Sequence, residues 1–164
     1  MLENESFLFD RFLSRSEYCV AGFSLGAIEA LEYAIGTNKR VDRLLLFSPA
    51  FFQDKDELFK TSQIKAFKKN EKLYQEIFFK NISHPSKMDL SSYYKKDTVE
   101  RLKYLLNYQY SKKILKSLES RGVKLEVFIG LKDKIIDPVN TTNFFQEFAT
   151  ITQIKEGGHI LWID

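Results

Sequence analysis

Two rhythms of apolar residues run along this chain: short uncharged stretches of strand length, and longer stretches with apolar residues three and four positions apart. Residues 5–15 show the second rhythm. Phe7, Leu8, Phe12 and Leu13 share one face, Glu5, Asp10 and Arg11 lie on the other, and an amphipathic helix is predicted. Residues 18–23 carry no charge and several β-formers, which predicts a buried strand ending in Gly22-Phe23-Ser24-Leu25-Gly26. From Leu25 onward, Ala27, Ile28, Ala30, Leu31, Ala34 and Ile35 make a wide apolar stripe with Glu29 and Glu32 mostly turned away. A helix is therefore expected to begin directly at the serine, with Gly36 at the C′ position.

Residues 41–47 contain Leu44-Leu45-Leu46-Phe47 and stop at Ser48-Pro49, the mark of a strand covered on both faces. Over 123–129, Val123, Leu125, Val127 and Ile129 point one way and Phe128 the other, and the strand ends at Gly130. A helix over 140–148 turns Phe144, Phe145 and Phe148 inward, and a last strand follows near 150–155. Alternating strand and helix indicate an α/β protein with a mostly parallel sheet. One long insertion, residues 51–116, is helical in pattern. Phe59, Ile64, Phe67, Leu73, Ile77 and Phe78 form its first part and Leu102, Leu105, Leu106, Ile114 and Leu115 its second, with a Ser/Pro/Asn-rich break over 81–92. The expected organisation is thus a body, 1–50 and 117–164, carrying a helical cap, 51–116.

Composition narrows the classes. At 164 residues, with 44% apolar and 29% charged, the chain suits one folded domain and lacks the signature of disorder. Its single cysteine, Cys19, allows no internal disulfide, and no Cys/His cluster offers a metal ligand set, so neither metal nor cofactor is expected. The acidic start Met1-Leu2-Glu3-Asn4-Glu5 is unlike a secretory signal, and no apolar run nears the roughly 20 residues of a membrane span. A cytoplasmic protein without a membrane association is the expectation. Charge is uneven: residues 51–116 hold 15 Lys+Arg against 8 Asp+Glu, a net +7, which leaves the remainder at −4 within a chain of +3. A basic cap suggests an acidic partner or simply solvated lysine-rich helices. No aromatic-basic motif of a nucleic-acid reader accompanies it, so nucleic acid is not the expected partner.

Candidate chemistry centres on Ser24. Gly-x-Ser-x-Gly alone recurs by chance, but between a strand and an apolar-faced helix it marks a nucleophile elbow, a turn that lifts the serine hydroxyl clear of the sheet. The Leu25 backbone N–H, at a helix N-terminus, is a candidate oxyanion donor. A serine needs a base held in turn by a third group. Of the two histidines, His159 follows Gly157-Gly158 just after the last strand and completes the order serine, acid, histidine; His84 beside Pro85 reads as a surface residue. In the loop 130–138, Asp133 is the better candidate acid, and Asp137 next to Pro138 suits an N-cap.

These residues together resemble the capped α/β-hydrolases, through the elbow at Ser24, the Gly130 to Asp133 turn and the Gly158-His159 pair. More narrowly, Leu44-Leu45-Leu46-Phe47-Ser48-Pro49, Val127-Phe128-Ile129-Gly130-Leu131-Lys132-Asp133-Lys134 and the short basic cap resemble the compact pimeloyl-ACP methyl ester esterases of biotin synthesis, the BioV type. The resemblance implies a carboxylesterase that removes the methyl ester from pimeloyl-ACP through Ser24, His159 and Asp133. It also implies acidic acyl carrier protein as the partner, with Lys65, Lys68, Lys69, Lys72, Lys95, Lys96, Arg101, Lys112 and Lys113 as candidates for gripping it. The family pattern places a strand and a glycine-containing loop before the first helix, and that loop supplies a second oxyanion N–H. Here the N-terminal strands are expected to be reduced or missing, which leaves the second donor open. A general carboxylesterase, an acyl thioesterase and a catalytically silent binding module on the same frame are the competing readings.

Overall fold

The computed structural model describes residues 5–13, 16–90, 93 and 98–162. Four strands, β1 (Cys19–Phe23), β2 (Arg43–Phe47), β3 (Lys124–Gly130) and β4 (Thr150–Ile154), form one sheet in sequence order. Every adjacent pair is parallel. Each parallel step needs a crossover. Helix α1 (Leu25–Gly36) joins β1 to β2, and α6 (Pro138–Phe145) joins β3 to β4. Between β2 and β3 lie α2 (Glu57–Lys69), α3 (Glu71–Ser83), α4 (Val99–Asn107) and α5 (Lys112–Ser120).

The period-2 pattern of the strands sorts the core into two layers. Leu44, Leu46, Leu125, Val127 and Ile129 meet the apolar stripe of α1 together with Leu115, Leu118 and Phe145. Leu45, Phe47 and Phe128 face the other way, onto Leu8, Phe9, Ile82, Leu90 and Ile160. The expected division of β3, with Phe128 opposite its odd-numbered neighbours, is therefore observed.

Several expectations need correction. Residues 5–15 do not form an α-helix: Glu5–Phe9 is a 3₁₀ helix followed by a turn, and Ser14 and Arg15 lie outside the described residues. The reason is Phe9, which stacks on Phe47 at 4.5 Å and meets Phe23 at 5.0 Å. Burying Phe9 beside Leu8, with Phe12 packed on the same cluster, covers more of the circumference than one α-helical stripe offers. Strand β1 is not a buried strand, since β2 is its only neighbour among the described residues and Phe23 alone of its side chains is buried. Gly36 is not at C′ but is the last residue of α1, and the chain leaves through an extended Thr37 with φ −83°.

The insertion is helical, as expected. Asn70 ends α2 and caps α3, its side chain accepting from the Leu73 N–H. Its apolar residues divide, however: Leu73, Ile77 and Ile114 stand in solvent, whereas Ile82 and Leu90 close the second face of the sheet. The expected cap limit at 116 falls inside α5, whose Leu115 and Leu118 pack with α1 and β3. Among the described residues no helix is long and apolar enough to cross a membrane.

Candidate active site

All four strands end on the same edge of the sheet, the edge where parallel α/β folds place their chemistry. Each is followed by a polar residue of interest: Ser24 directly after β1, Ser48 directly after β2, Asp133 in the turn after β3 and His159 in the turn after β4.

Ser24 occupies a sharp turn with φ 53° and ψ −113°, a region that costs a non-glycine residue about 1–3 kcal/mol. The turn is held from β2: the Ser24 N–H donates to the Phe47 carbonyl at 2.9 Å, and the Ala50 N–H donates to the Ser24 carbonyl at 3.2 Å. A Cβ on Gly22 would stand 2.0 Å from the Gly26 carbonyl oxygen, so the first turn of α1 approaches β1 only because residue 22 has no side chain. Gly26 plays no matching part, since its Cβ would point into open space. The serine is left partly exposed at the start of α1. Leu25 contributes the first amide of that helix, a donor with no carbonyl partner within the helix.

Asp133 and His159 come from two turns locked together. A Cβ on Gly130 would stand 2.1 Å from the Gly158 oxygen, and the Lys132 N–H donates to the Gly157 carbonyl at 2.9 Å. Lys132 also forms an ion pair with Glu156 across the same two turns. Within this frame Asp133 Oδ1 accepts from the Ile135 and Ile136 N–H groups at 2.7 and 3.1 Å. Its Oδ2 lies 2.7 Å from His159 Nδ1, and His159 Nε2 lies 3.0 Å from Ser24 Oγ. Both the carboxylate and the imidazole are wholly buried. A carboxylate already accepting two amides directs its free oxygen at Nδ1–H, which leaves Nε2 as the acceptor facing the serine hydroxyl. The Phe23 ring, 5.0 Å from the imidazole, covers its flank.

Thus Ser24, Asp133 and His159 are brought into one hydrogen-bonded line. Asp137 instead caps α6, its Oδ1 accepting from Val139 and Asn140 at 2.9 Å each. His84 is not part of the line. Its carbonyl presses on Gly158, where a Cβ would lie 1.6 Å away, and its ring is held below the ordinary histidine range by desolvation and by Lys134 and Lys132. The cap thereby touches the histidine turn through main chain. Among the cap cations, Lys65, Lys68, Lys69, Lys72 and Lys113 are exposed on α2, α3 and α5. Arg101 bridges to Glu29 at 3.0 Å and Lys112 to Glu147 at 2.8 Å, so these two already face acidic groups of the body. Lys95 and Lys96 lie outside the described residues. No group of three or more His, Cys, Asp or Glu placed to hold a metal occurs among the described residues.

Sequence reasoning missed Ser48. It is fully buried, has φ 39°, and donates from Oγ to the His159 carbonyl at 2.6 Å. The only signal was a small hydroxyl residue at the end of a strand and before a proline.

No protein-family model matches the chain. No curated protein matches it either. Solved structures do. A putative hydrolase from Bacillus subtilis superposes with a TM-score of 0.61 at 17% identity, over 87% of this chain and 54% of the other. A carboxylesterase structure from Nitrososphaera gargenis gives 0.60 at 18% identity, over 86% and 57%. An esterase from Exiguobacterium antarcticum gives 0.56 at 17% identity, over 85% and 58%. The chain spans little more than half the length of these proteins. Over most of its length the chain has the α/β-hydrolase fold.

Proposed function

We propose that this chain is a serine hydrolase acting on carboxylic esters. The observation that carries the proposal is the unbroken line from Ser24 Oγ through His159 to Asp133, at 3.0 and 2.7 Å. In the reaction, Nε2 takes the hydroxyl proton as Ser24 Oγ attacks the ester carbonyl, and buried Asp133 stabilises the imidazolium. The oxyanion that forms sits against the Leu25 N–H, where the α1 dipole favours negative charge. Collapse of the tetrahedral intermediate breaks the bond to the alkoxy oxygen, which leaves with the proton from Nε2. Water, deprotonated by the same imidazole, then releases the acid and restores Ser24.

For the substrate, the narrower reading is the methyl ester of pimeloyl-ACP, with methanol as the first product. It is supported by the sequence resemblance and by the basic character of the cap, since an acidic carrier protein would be drawn to exposed Lys65, Lys68, Lys69, Lys72 and Lys113. The test compares hydrolysis of pimeloyl-ACP methyl ester, a free methyl ester and an acyl thioester, each with a Ser24→Ala control. Preference for the carrier-linked ester that weakens with salt supports the narrow reading. Equal turnover of the free ester reduces it to a general carboxylesterase, the activity named for several structural neighbours. Equal rates for wild type and Ser24→Ala remove the hydrolase reading.

A further inference from the structure

Resting on that hydrolase reading, we infer that Ser48 is a positioning residue of the active site, holding the main chain of His159 so that Nε2 stays within reach of Ser24. The corner 47–50 grips both partners at once. Phe47 and Ala50 hold the Ser24 main chain from its N–H and its carbonyl side, at 2.9 and 3.2 Å. Between them, the Ser48 hydroxyl donates to the His159 carbonyl at 2.6 Å, a bond spanning 111 residues of sequence. The Ser48 N–H in turn donates to the Phe128 carbonyl at 2.8 Å, so the residue is tied to the end of the β2–β3 ladder.

His159 has need of such an anchor. It lies beyond β4 in a turn closed by the Leu161 N–H donating to the Gly158 carbonyl at 3.1 Å, a bond that engages neither the N–H nor the carbonyl of His159 itself. Its side chain is fixed at Nδ1 and faces Ser24 at Nε2, and its carbonyl rests on Ser48. The backbone geometry at Ser48 points to the same role. With φ 39° the residue occupies a region that glycine enters freely and serine only at a cost. A serine there, wholly buried, offers a side-chain hydroxyl that glycine lacks, and that hydroxyl is bonded to the histidine main chain.

The experiment uses Ser48→Gly and Ser48→Ala. Glycine relieves the backbone strain and alanine retains it, while both delete the hydroxyl. Three readouts are taken: thermal midpoint, the rate of phosphonylation of Ser24 by a fluorophosphonate, and the His159 Nδ1 proton in NMR. Only two histidines are present, so His84 serves as the internal reference. Both variants are expected to phosphonylate on the order of 10- to 100-fold more slowly, as a misplacement of up to 1 Å would cause. The Nδ1 proton should exchange faster with water, even where Ser48→Gly melts at the wild-type temperature. Hydrolysis should lose kcat at unchanged KM. A folded Ser48→Gly protein with the wild-type Nδ1 signal and phosphonylation rate overturns the inference. Absence of any Ser24 adduct in the wild type instead overturns the hydrolase reading, and the Nδ1 signal then decides the role of Ser48 by itself.

Discussion

At the scale of single residues, two glycines flank Ser24 in a symmetrical motif, yet only one is required by geometry. Gly22→Ala drives a Cβ to 2.0 Å from a backbone oxygen that cannot rotate away, and the turn must open. A loss of about 1–3 kcal/mol or more is expected, read as a drop in the urea midpoint. Gly26→Ala meets nothing within 4 Å and should leave stability unchanged or raise it by up to about 1 kcal/mol, through better helix propensity. Equal losses for the two variants would contradict this account. Asp133→Asn should separate folding from chemistry. Asparagine Oδ1 still accepts the Ile135 and Ile136 amides, so the turn survives, while its amide group presented to Nδ1 favours the wrong imidazole tautomer. The fall in kcat should be about 10⁴-fold with little change in thermal midpoint. The three members of the line were legible because each is a chemically distinctive residue at a strand end. Ser48 was not, because a structural serine and a positioning serine look alike until the distance to the His159 carbonyl is seen.

Among the elements, the insertion between β2 and β3 contributes to the core of the sheet. Its Ile82 and Leu90 are buried against Phe47 and Phe128, so the second face of the sheet is closed by the end of α3 and the loop after it. This makes the segment part of the core. Ile82→Ala should cost about 2–5 kcal/mol, the range for deleting a buried aliphatic side chain, whereas Ile77→Ala, on a different face of α3 and 53% exposed, should stay within about 0.5 kcal/mol. Denaturant unfolding of both variants checks it, and comparable losses would mean that α3 packs otherwise. The α/β alternation and all four strands were readable from the sequence, β2 as a continuous apolar run, β3 by its alternation and the edge strand β1 as a short uncharged stretch, although the sequence did not show that β1 stands at an edge. Which helix faces turn inward was not readable in the insertion. Leu73 and Ile77 obey helical spacing as well as any core residue does, and only the position of the sheet decides that Ile82 is covered and they are not. The 3₁₀ geometry of Glu5–Phe9 was hidden for a related reason, as it follows from the stacking of Phe9 on Phe47, a contact between residues far apart in the chain.

At the scale of the whole molecule, a string of tyrosines links the β2–β3 insertion to α6 and predicts how the protein responds to alkali. Tyr104 on α4 and Tyr108, the residue that follows the helix, lie with their rings 5.8 Å apart, Tyr108 reaches Tyr110 at 5.0 Å, and Tyr110 meets Phe145 of α6 at 5.0 Å. Burial is the first cause of raised hydroxyl pKa values along the string: Tyr108 is pushed up to about 12, with Glu32 adding to it, and Tyr110 is raised well above 10. On α3, Tyr74 is likewise pushed up to about 12 by burial. A hydroxyl that ionises near 10 in the unfolded chain but stays protonated in the folded one favours the folded state fully below pH 10. As pH rises from 10 towards 12 the unfolded chain sheds protons that the native state keeps, so stability falls across that window. Tyr110 makes the cleanest test because its hydroxyl is buried without a hydrogen-bond partner among the described residues. Tyr110→Phe removes an unsatisfied polar atom and keeps the ring contacts, so stability near pH 7 should hold or rise by about 1 kcal/mol. Above pH 10 the variant should lose stability less steeply, by about 1.4 kcal/mol per pH unit, the share of one proton. Urea unfolding of both proteins at pH 7, 10 and 11 measures this, and parallel declines, or a variant clearly weaker at pH 7, would show that the Tyr110 hydroxyl is bonded after all.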